Sequence, residues 1–174
     1  MSVAAVQQHL QASGKGEPIA VAPYLSKLCA TLAQSMTSDS SPISLEVVAG
    51  EASLSSNDAV SVGLIVTEGV LNALKHAFAE RTAGGRIVVT YDANGPDWTL
   101  TIADDGVGKR INSPAVAKGG LGTSIINALA QQLAARVDLI TGESGTTLAI
   151  IHSVSVLATP TPAHLHTNEA TRVI

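Results

Sequence analysis

The short turns between strands in the second half of the chain constrain its fold more than any other feature. Two such turns each join two apolar-polar alternating stretches, at 86–92 with 98–103 and at 137–141 with 146–153. Turns of about four residues join antiparallel neighbours, whereas parallel strands need a crossover of about a dozen residues or more. The pattern therefore excludes a doubly wound parallel sheet and predicts a sheet that is mostly antiparallel.

Helical periodicity predicts three helices around this sheet. One begins near Pro23, one runs over about 57–80 behind capping residues that start at Ser55, and one runs over about 124–134. A further strand is predicted at 43–49. The order is then helix, strand, helix, hairpin, helix, hairpin. It predicts an α+β fold, a two-layer α/β sandwich whose mixed, mostly antiparallel sheet carries its helices on one face.

The composition narrows the classes of function. Of the 174 residues, 45% are apolar but only 2% are aromatic, so the core must be aliphatic. The formal net charge is −4 and there is no basic run, which argues against binding to nucleic acid. No apolar stretch approaches the length of a membrane span and no signal peptide opens the chain, so we expect a cytoplasmic domain without direct membrane contact. The single cysteine, Cys29, is expected to be a buried thiol.

The predicted helix over 57–80 carries four polar side chains on one stripe. Glu68 and Asn72 are four residues apart, and Lys75 and His76 follow seven and eight residues after Glu68. At about 100° per residue, all four fall within an arc of about 100°. Taken alone, such a stripe is most often simply solvated. A carboxylate, an amide, a cation and an imidazole facing one place would also suit a polar ligand.

Two glycine-rich motifs follow the long helix. Asp104-Asp105-Gly106-Val107-Gly108 ends a strand, where glycines allow a tight turn and a carboxylate can accept a hydrogen bond from an exocyclic amine. Gly119-Gly120-Leu121-Gly122-Thr123 opens a helix, whose first N–H groups favour phosphate, although the segment matches neither a Walker loop nor a dinucleotide fingerprint. Each motif alone is as compatible with an ordinary acidic turn or an ordinary glycine-rich helix start.

The order of the motifs along the chain is more specific than any one of them. The set consists of Glu68-x-x-x-Asn72-Ala73-Leu74-Lys75-His76-Ala77-Phe78, Asp104-Asp105-Gly106-Val107-Gly108, Gly119-Gly120-Leu121-Gly122-Thr123 and Gly145-Thr146-Thr147. This set resembles the GHKL ATPase superfamily, with its Bergerat ATP-binding fold, and in detail the catalytic ATPase domain of HWE/HisKA_2-type sensor histidine kinases. The resemblance covers about residues 21–153 and implies that the domain binds ATP and Mg²⁺.

The resemblance implies a role for each polar residue of the helix. Asn72 would be the metal ligand and part of the ATP site. Glu68 would be the catalytic residue that orients or activates the catalytic water or the acceptor group. Lys75 and His76 would lie near the phosphates, where positive charge offsets the charge of the transferred group.

The resemblance also assigns the glycine motifs to the two ends of the nucleotide. Asp104 would accept the adenine amino group, Gly106 and Gly108 would shape the base pocket, and Thr146 would lie near the adenine. The remaining ATP-binding residues implied by the family pattern lie at the helix start, bordering the triphosphate: Gly119, Gly120, Leu121, Gly122 and Thr123. The segment 109–118 would be a short ATP lid.

A domain organisation follows from the same resemblance. Residues 1–16 would be the end of a dimerisation-hairpin helix plus a linker, 17–156 the ATP-binding catalytic domain, and 157–174 a flexible tail. In the family the phosphoacceptor histidine lies on that hairpin, and His9 is too close to the catalytic domain to be it. The expected function is therefore transfer of the ATP γ-phosphate to a histidine on a dimerisation domain absent from this chain. Expected partners are ATP, that histidine-bearing domain and a response regulator, in a homodimeric parent protein.

Two other functions remain open at this point. An anti-sigma-factor-type serine kinase shares the fold and would phosphorylate a separate protein. A degenerate adaptor would bind a response regulator and no nucleotide. The Lys75-His76-Ala77-Phe78 run and the Gly119 segment favour the histidine kinase over the serine kinase, and the presence of Glu68, Asn72 and Asp104 argues against the adaptor.

Overall fold

The structure of the chain, a computed structural model, describes residues 17–36, 43–78, 84–107 and 121–154. The predicted tail, lid and N-terminal helix end lie outside these residues, as do Gly108, Gly119 and Gly120. The described elements, in chain order, are β1 (Ile19–Ala20), α1 (Val21–Met36), β2 (Ile43–Ala49), β3 (Ser53–Leu54), α2 (Ser56–His76), β4 (Gly85–Asn94), β5 (Asp97–Asp104), α3 (Leu121–Gln132), β6 (Ala135–Gly142) and β7 (Gly145–His152).

The main sheet has five strands in the order β2-β4-β5-β7-β6. Its first two strands, β2 and β4, pair in parallel, and the other three pairings are antiparallel. The two predicted hairpins are present as β4–β5 and β6–β7. The prediction of a mixed, mostly antiparallel sheet is therefore confirmed.

A second sheet has only two strands and was not predicted. β1 pairs antiparallel with β3, with Ile19 opposite Leu54 and Ala20 opposite Ser53. The polar residues around Ser53 are typical of a turn rather than of a strand. Two-residue strands are too short to show a period, so this pairing depends on the tertiary fold.

One face of the main sheet packs against the helices. The side chains buried on this face alternate with exposed or half-buried ones along each strand, as in Ile87, Val89 and Tyr91 of β4. The helix residues that are fully buried opposite them are also aliphatic, including Leu25, Leu28, Ile65, Val66 and Val70. Each such side chain contributes about 1.5–3 kcal/mol by leaving water. The aliphatic two-layer core is thus as predicted, and Cys29 is buried within it.

Helix α2 lies across this core and is fixed at its start by a cap. Ser55 has an extended backbone (ψ 158°), and its side-chain oxygen accepts a hydrogen bond from the backbone N–H of Asp58. Oδ2 of Asp58 in turn accepts a hydrogen bond from the Ser55 hydroxyl, whose oxygen lies 2.8 Å away. The Asp58 carboxylate also places negative charge in the first turn. At mid-helix, a Cβ on Gly69 would lie 2.6 Å from Cδ1 of Ile102, so the glycine allows α2 to pack closely on β5.

Two predicted helices differ from the structure in where they begin or end. α2 ends at His76 rather than near residue 80, and residues 79 and 80 lie outside the described part. α3 begins at Leu121, three residues before the predicted start. The early start matters because it places Gly122 inside the first turn of α3.

Candidate functional site

The last turns of α2 bring two of the predicted residues against the start of α3. A Cβ built on Gly122 would lie 3.2 Å from Oε2 of Glu68 and 3.5 Å from the side-chain amide of Asn72. Both side chains are half-buried. The glycine therefore lets the first turn of α3 approach a carboxylate and an amide that stand one helical turn apart.

This arrangement is suited to an anionic ligand that also carries a cation. The first N–H groups of α3 have no partner within the helix and give its N-terminus a partial positive charge. The oxygen atoms of Glu68 and Asn72 beside them are hard ligands of the kind that Mg²⁺ prefers. Phosphate and metal would thus find complementary groups on the two sides of Gly122.

Asp104 forms a second polar group at the end of β5. Its Oδ1 accepts hydrogen bonds from the backbone N–H of Gly106 at 3.0 Å and of Thr146 at 3.2 Å. Thr146 lies directly opposite Asp104 in the β5–β7 ladder. With Oδ1 held in this way, Oδ2 is oriented and can accept a further hydrogen bond, as an exocyclic amine would supply.

The protonation of Asp104 reflects two opposing effects. Burial raises the pKa of this carboxyl above its ordinary value, while the two backbone N–H groups oppose the rise. Its sequence neighbour Asp105 is exposed, and its Oδ1 accepts a hydrogen bond from the Arg86 backbone N–H instead. The two adjacent acids therefore have different surroundings. Asp104 lies on the sheet face that carries the helices, and Asp105 binds the backbone of Arg86.

Two glycines allow close backbone contacts around Asp104. A Cβ on Gly106 would collide with Ala77, whose carbonyl oxygen accepts the Val107 N–H at 3.0 Å. Gly145 has φ 129°, and a Cβ there would collide with the Asp104 carbonyl oxygen. Gly106 was predicted to shape this region from the family pattern. Gly145 was only noted as part of a motif, and its positive φ could not be read from the sequence.

The end of α2 connects the two groups. Ala77, which contacts Gly106, follows Asn72 by five residues, a rise of about 7.5 Å along the helix axis. Glu68, Asn72 and Gly122 therefore lie at the same end of the molecule as Asp104, Gly106 and Thr146. The two groups are close enough to contact different parts of one extended ligand.

Lys75 and His76 are less firmly tied to the site. Both lie in the last turn of α2 and are exposed. No hydrogen bond or ion pair joins either side chain to another residue of the described ranges. Cationic side chains in the last turn of a helix are stabilised by the partial negative charge at its C-terminal end. Thr123 is exposed in the first turn of α3.

A cavity of about 390 Å³ opens elsewhere, near the start of α2 and the β4–β5 turn. Asp58 on its wall precedes Asn72 by fourteen residues, about 21 Å along α2. The cavity wall contains none of the predicted site residues. We place the candidate site at the other end of α2, because there the polar groups converge on the first turn of a helix.

Comparison with known proteins identifies the class to which this fold belongs. The model of the histidine kinase-like ATPase domain family matches residues 42–152. This range contains β2 to β7, α2, α3 and every predicted site residue. The chain therefore belongs to the histidine kinase-like ATPase domain family, as the sequence motifs predicted.

Individual relatives agree with this assignment. The blue-light-activated histidine kinase 2 of Erythrobacter litoralis is 34% identical over 89 residues, which are 51% of this chain and 26% of that protein. This chain thus spans about a quarter of the length of that relative.

Solved structures of histidine kinases share the fold. The histidine kinase domain of Erythrobacter litoralis EL346 is 24% identical with a TM-score of 0.72, covering 84% of this chain and 73% of that one. The EL346 blue-light-activated kinase structure is 26% identical with a TM-score of 0.71, covering 84% and 44% of the two chains. The catalytic domain of histidine kinase ThkA is 14% identical with a TM-score of 0.60, covering 78% and 94%.

The length and hydropathy of the described helices can be compared with the expectation that no stretch spans a membrane. Within 17–36, 43–78, 84–107 and 121–154, no helix is both long enough and apolar enough to cross a bilayer.

Proposed function

We propose that this chain is the ATP-binding catalytic domain of a cytoplasmic sensor histidine kinase. In this proposal it transfers the γ-phosphate of ATP to a histidine on a dimerisation domain, from which a response regulator takes the phosphoryl group. The observation that carries the proposal is the meeting of Glu68, Asn72 and the α3 N-terminus at Gly122. Phosphoryl transfer asks mainly for positioning and charge stabilisation, and these are the groups that supply both.

In this proposal the second polar group, around Asp104, binds the adenine. Asp104 accepts the exocyclic amine through Oδ2, because Gly106 and Thr146 already donate to Oδ1. The ionised carboxylate is the stronger acceptor, so the two backbone N–H groups assist binding by opposing the effect of burial on its pKa. A guanine would present a carbonyl oxygen at the same position and would be rejected.

The metal fits the donors available. In the described part of the chain, no three His, Cys, Asp or Glu side chains come together. Mg²⁺ at nucleotide sites commonly takes only one or two protein oxygens, with phosphate oxygens and water completing its octahedron. The Asn72 amide oxygen would be that protein ligand. When bound, Mg²⁺ neutralises charge on the phosphates.

Glu68 would act on the acceptor. As the imidazole nitrogen of the acceptor attacks the γ-phosphorus, the bond from the bridging oxygen to that phosphorus breaks and ADP leaves. The N–P bond forms, and the imidazole gives up its N–H proton to the Glu68 carboxylate. Lys75, His76 and the N-terminal N–H groups of α3 would stabilise the charge on the transferred group.

A thermal shift with a non-hydrolysable ATP analogue and Mg²⁺ tests nucleotide binding. At a hundredfold excess over Kd we expect about 2.7 kcal/mol of stabilisation, or about 5–10 °C in Tm for a domain of this size. Asp104→Ala should remove the shift. Asp105→Ala, its exposed neighbour, should keep it. A wild-type chain without a shift at saturating nucleotide would instead support the adaptor function.

The phosphoryl acceptor is tested by transfer from labelled ATP to a separately supplied histidine-bearing dimerisation domain. We expect an acid-labile, base-stable product with wild type. Glu68→Gln should slow its formation by about 10²–10⁴-fold, while Glu51→Gln, an exposed glutamate on the wall of the cavity near the start of α2, should not. An acid-stable product on a serine would replace this proposal with the serine-kinase function.

A further inference from the structure

β6 is an edge strand of the main sheet among the described residues. It pairs with β7 over all eight residues, from Ala135 to Gly142, and no other described strand lies on its far side. An edge of this kind presents a row of unpaired N–H and C=O groups that another strand can pair with.

The side chains of β6 add apolar surface to that open edge. Leu139 is 56% exposed and Ile140 is 68% exposed, the highest value among the large apolar side chains of the described residues. Because consecutive residues of a strand point to opposite faces, one lies on each face of the sheet. A strand added at this edge would cover both.

The charges on β6 indicate which strand would fit. Arg136 and Asp138 lie on the face away from the helices, with Nε of Arg136 3.3 Å from Oδ2 of Asp138. When two copies of β6 run antiparallel about a two-fold axis at Val137, Arg136 stands opposite the partner's Asp138 on both sides of the axis. If the axis moves one residue either way, Asp138 or Arg136 instead stands opposite its own copy.

We propose that β6 pairs antiparallel with β6 of a second copy of this chain, joining the two five-stranded sheets into one. Residues 135–139 form the pairing, and Ile140 reaches past it onto the partner. Thr141 and Gly142 remain outside the pairing. The β6–β7 turn next to Asp104 therefore stays accessible to a ligand. This contact is independent of the proposed kinase activity and of any dimerisation domain.

The interface is one strand wide and therefore small. It falls at the low end of specific interfaces, and a Kd on the order of 10⁻⁴ M is expected. Opposite charges directly across a pair of strands favour pairing, and like charges there oppose it. The register therefore predicts how each charge reversal will act.

Sedimentation equilibrium of the chain tests the proposal. Wild type should show a reversible monomer–dimer equilibrium. Arg136→Asp and Asp138→Arg, each alone, place like charges opposite each other and should raise the dimer Kd at least tenfold. An equimolar mixture of these two variants should associate again, because each acid then faces a base. Asp92→Arg makes the same charge change on β4, three strands away, and should leave Kd unchanged.

Three outcomes would overturn the proposal. They are a wild-type chain that stays monomeric up to about 1 mM, single charge reversals that leave Kd unchanged, and a mixture of the two variants that does not associate. The Arg136 side chain is 67% exposed and that of Asp138 is 45% exposed, so circular dichroism should show native folding for each variant. Hydrogen exchange of the β6 amides should slow with concentration in wild type and not in either single variant.

Discussion

Gly145→Ala perturbs the candidate site through the backbone alone. At φ 129° an alanine is strained, at a cost of about 1–3 kcal/mol. Its Cβ would also collide with the Asp104 carbonyl oxygen, so the turn must move. Movement of the turn weakens the Thr146 N–H to Asp104 hydrogen bond, which contributes about 1 kcal/mol.

The sum is a destabilisation of about 3 kcal/mol, or about 6–12 °C in Tm. Urea unfolding would measure the free energy directly, with Gly142→Ala as the matched control. Gly142 lies in the same turn, has no positive φ, and a Cβ there would meet nothing within 4 Å. The reasoning would be refuted if the two variants unfolded within about 0.5 kcal/mol of each other.

The same variant should also bind nucleotide more weakly. Asp104 would lose one of the two donors that hold Oδ1, so its pKa should rise and its Oδ2 should be less well placed. Titration calorimetry with an ATP analogue would measure this. Equal affinity in Gly145→Ala and Gly142→Ala would show that the orientation of Asp104 does not matter for binding.

Three further outcomes are expected. Ser55→Ala removes the cap of α2 and should destabilise the domain by about 1 kcal/mol in chemical unfolding, whereas Ser44→Ala, on the exposed face of β2, should not. Gly122→Ala places a methyl 3.2 Å from the Glu68 carboxylate and should weaken binding of an ATP analogue about tenfold by calorimetry; unchanged affinity would place the phosphates elsewhere. Burial raises the pKa of Cys29 to about 12 and of Tyr91 to about 12, so both groups favour the folded state below their unfolded pKa values. Stability should fall as the pH rises from about 9 towards 12, by about 2 kcal/mol at pH 10.5 from Cys29, and Cys29→Ala should unfold with a weaker pH dependence.

The sequence predicted those parts of the fold that depend on local patterns. The β2 bounds at 43–49 follow from the alternation of Ile43, Leu45 and Val47 with polar residues, and the two hairpins follow from their turn residues. The β1–β3 pair was missed because two residues carry no period. The start of α3 was placed late because Gly122 has a low helix propensity, which the contact with α2 overrides.

The candidate site divides in the same way. Glu68 and Asn72 share a helix face through their four-residue spacing, so the sequence alone brings them together. Thr146 reaches Asp104 from 42 residues away, through a β5–β7 register that no local pattern defines. The family resemblance implied that both lie near the adenine, but the hydrogen bond between them appears only in the structure. The requirement for glycine at Gly145 depends on the same register.

The central claim is that the groups at Asn72 and at Asp104 bind one nucleotide. Calorimetric titration of an ATP analogue, with and without Mg²⁺, tests it most directly. We predict that one molecule binds per chain, that Mg²⁺ tightens binding in wild type, and that Asn72→Ala abolishes this effect of Mg²⁺ while still binding the nucleotide. Asp104→Ala should abolish binding in both conditions. Nucleotide binding that keeps its full Mg²⁺ dependence in Asn72→Ala, or that is unchanged in Asp104→Ala, would contradict the account.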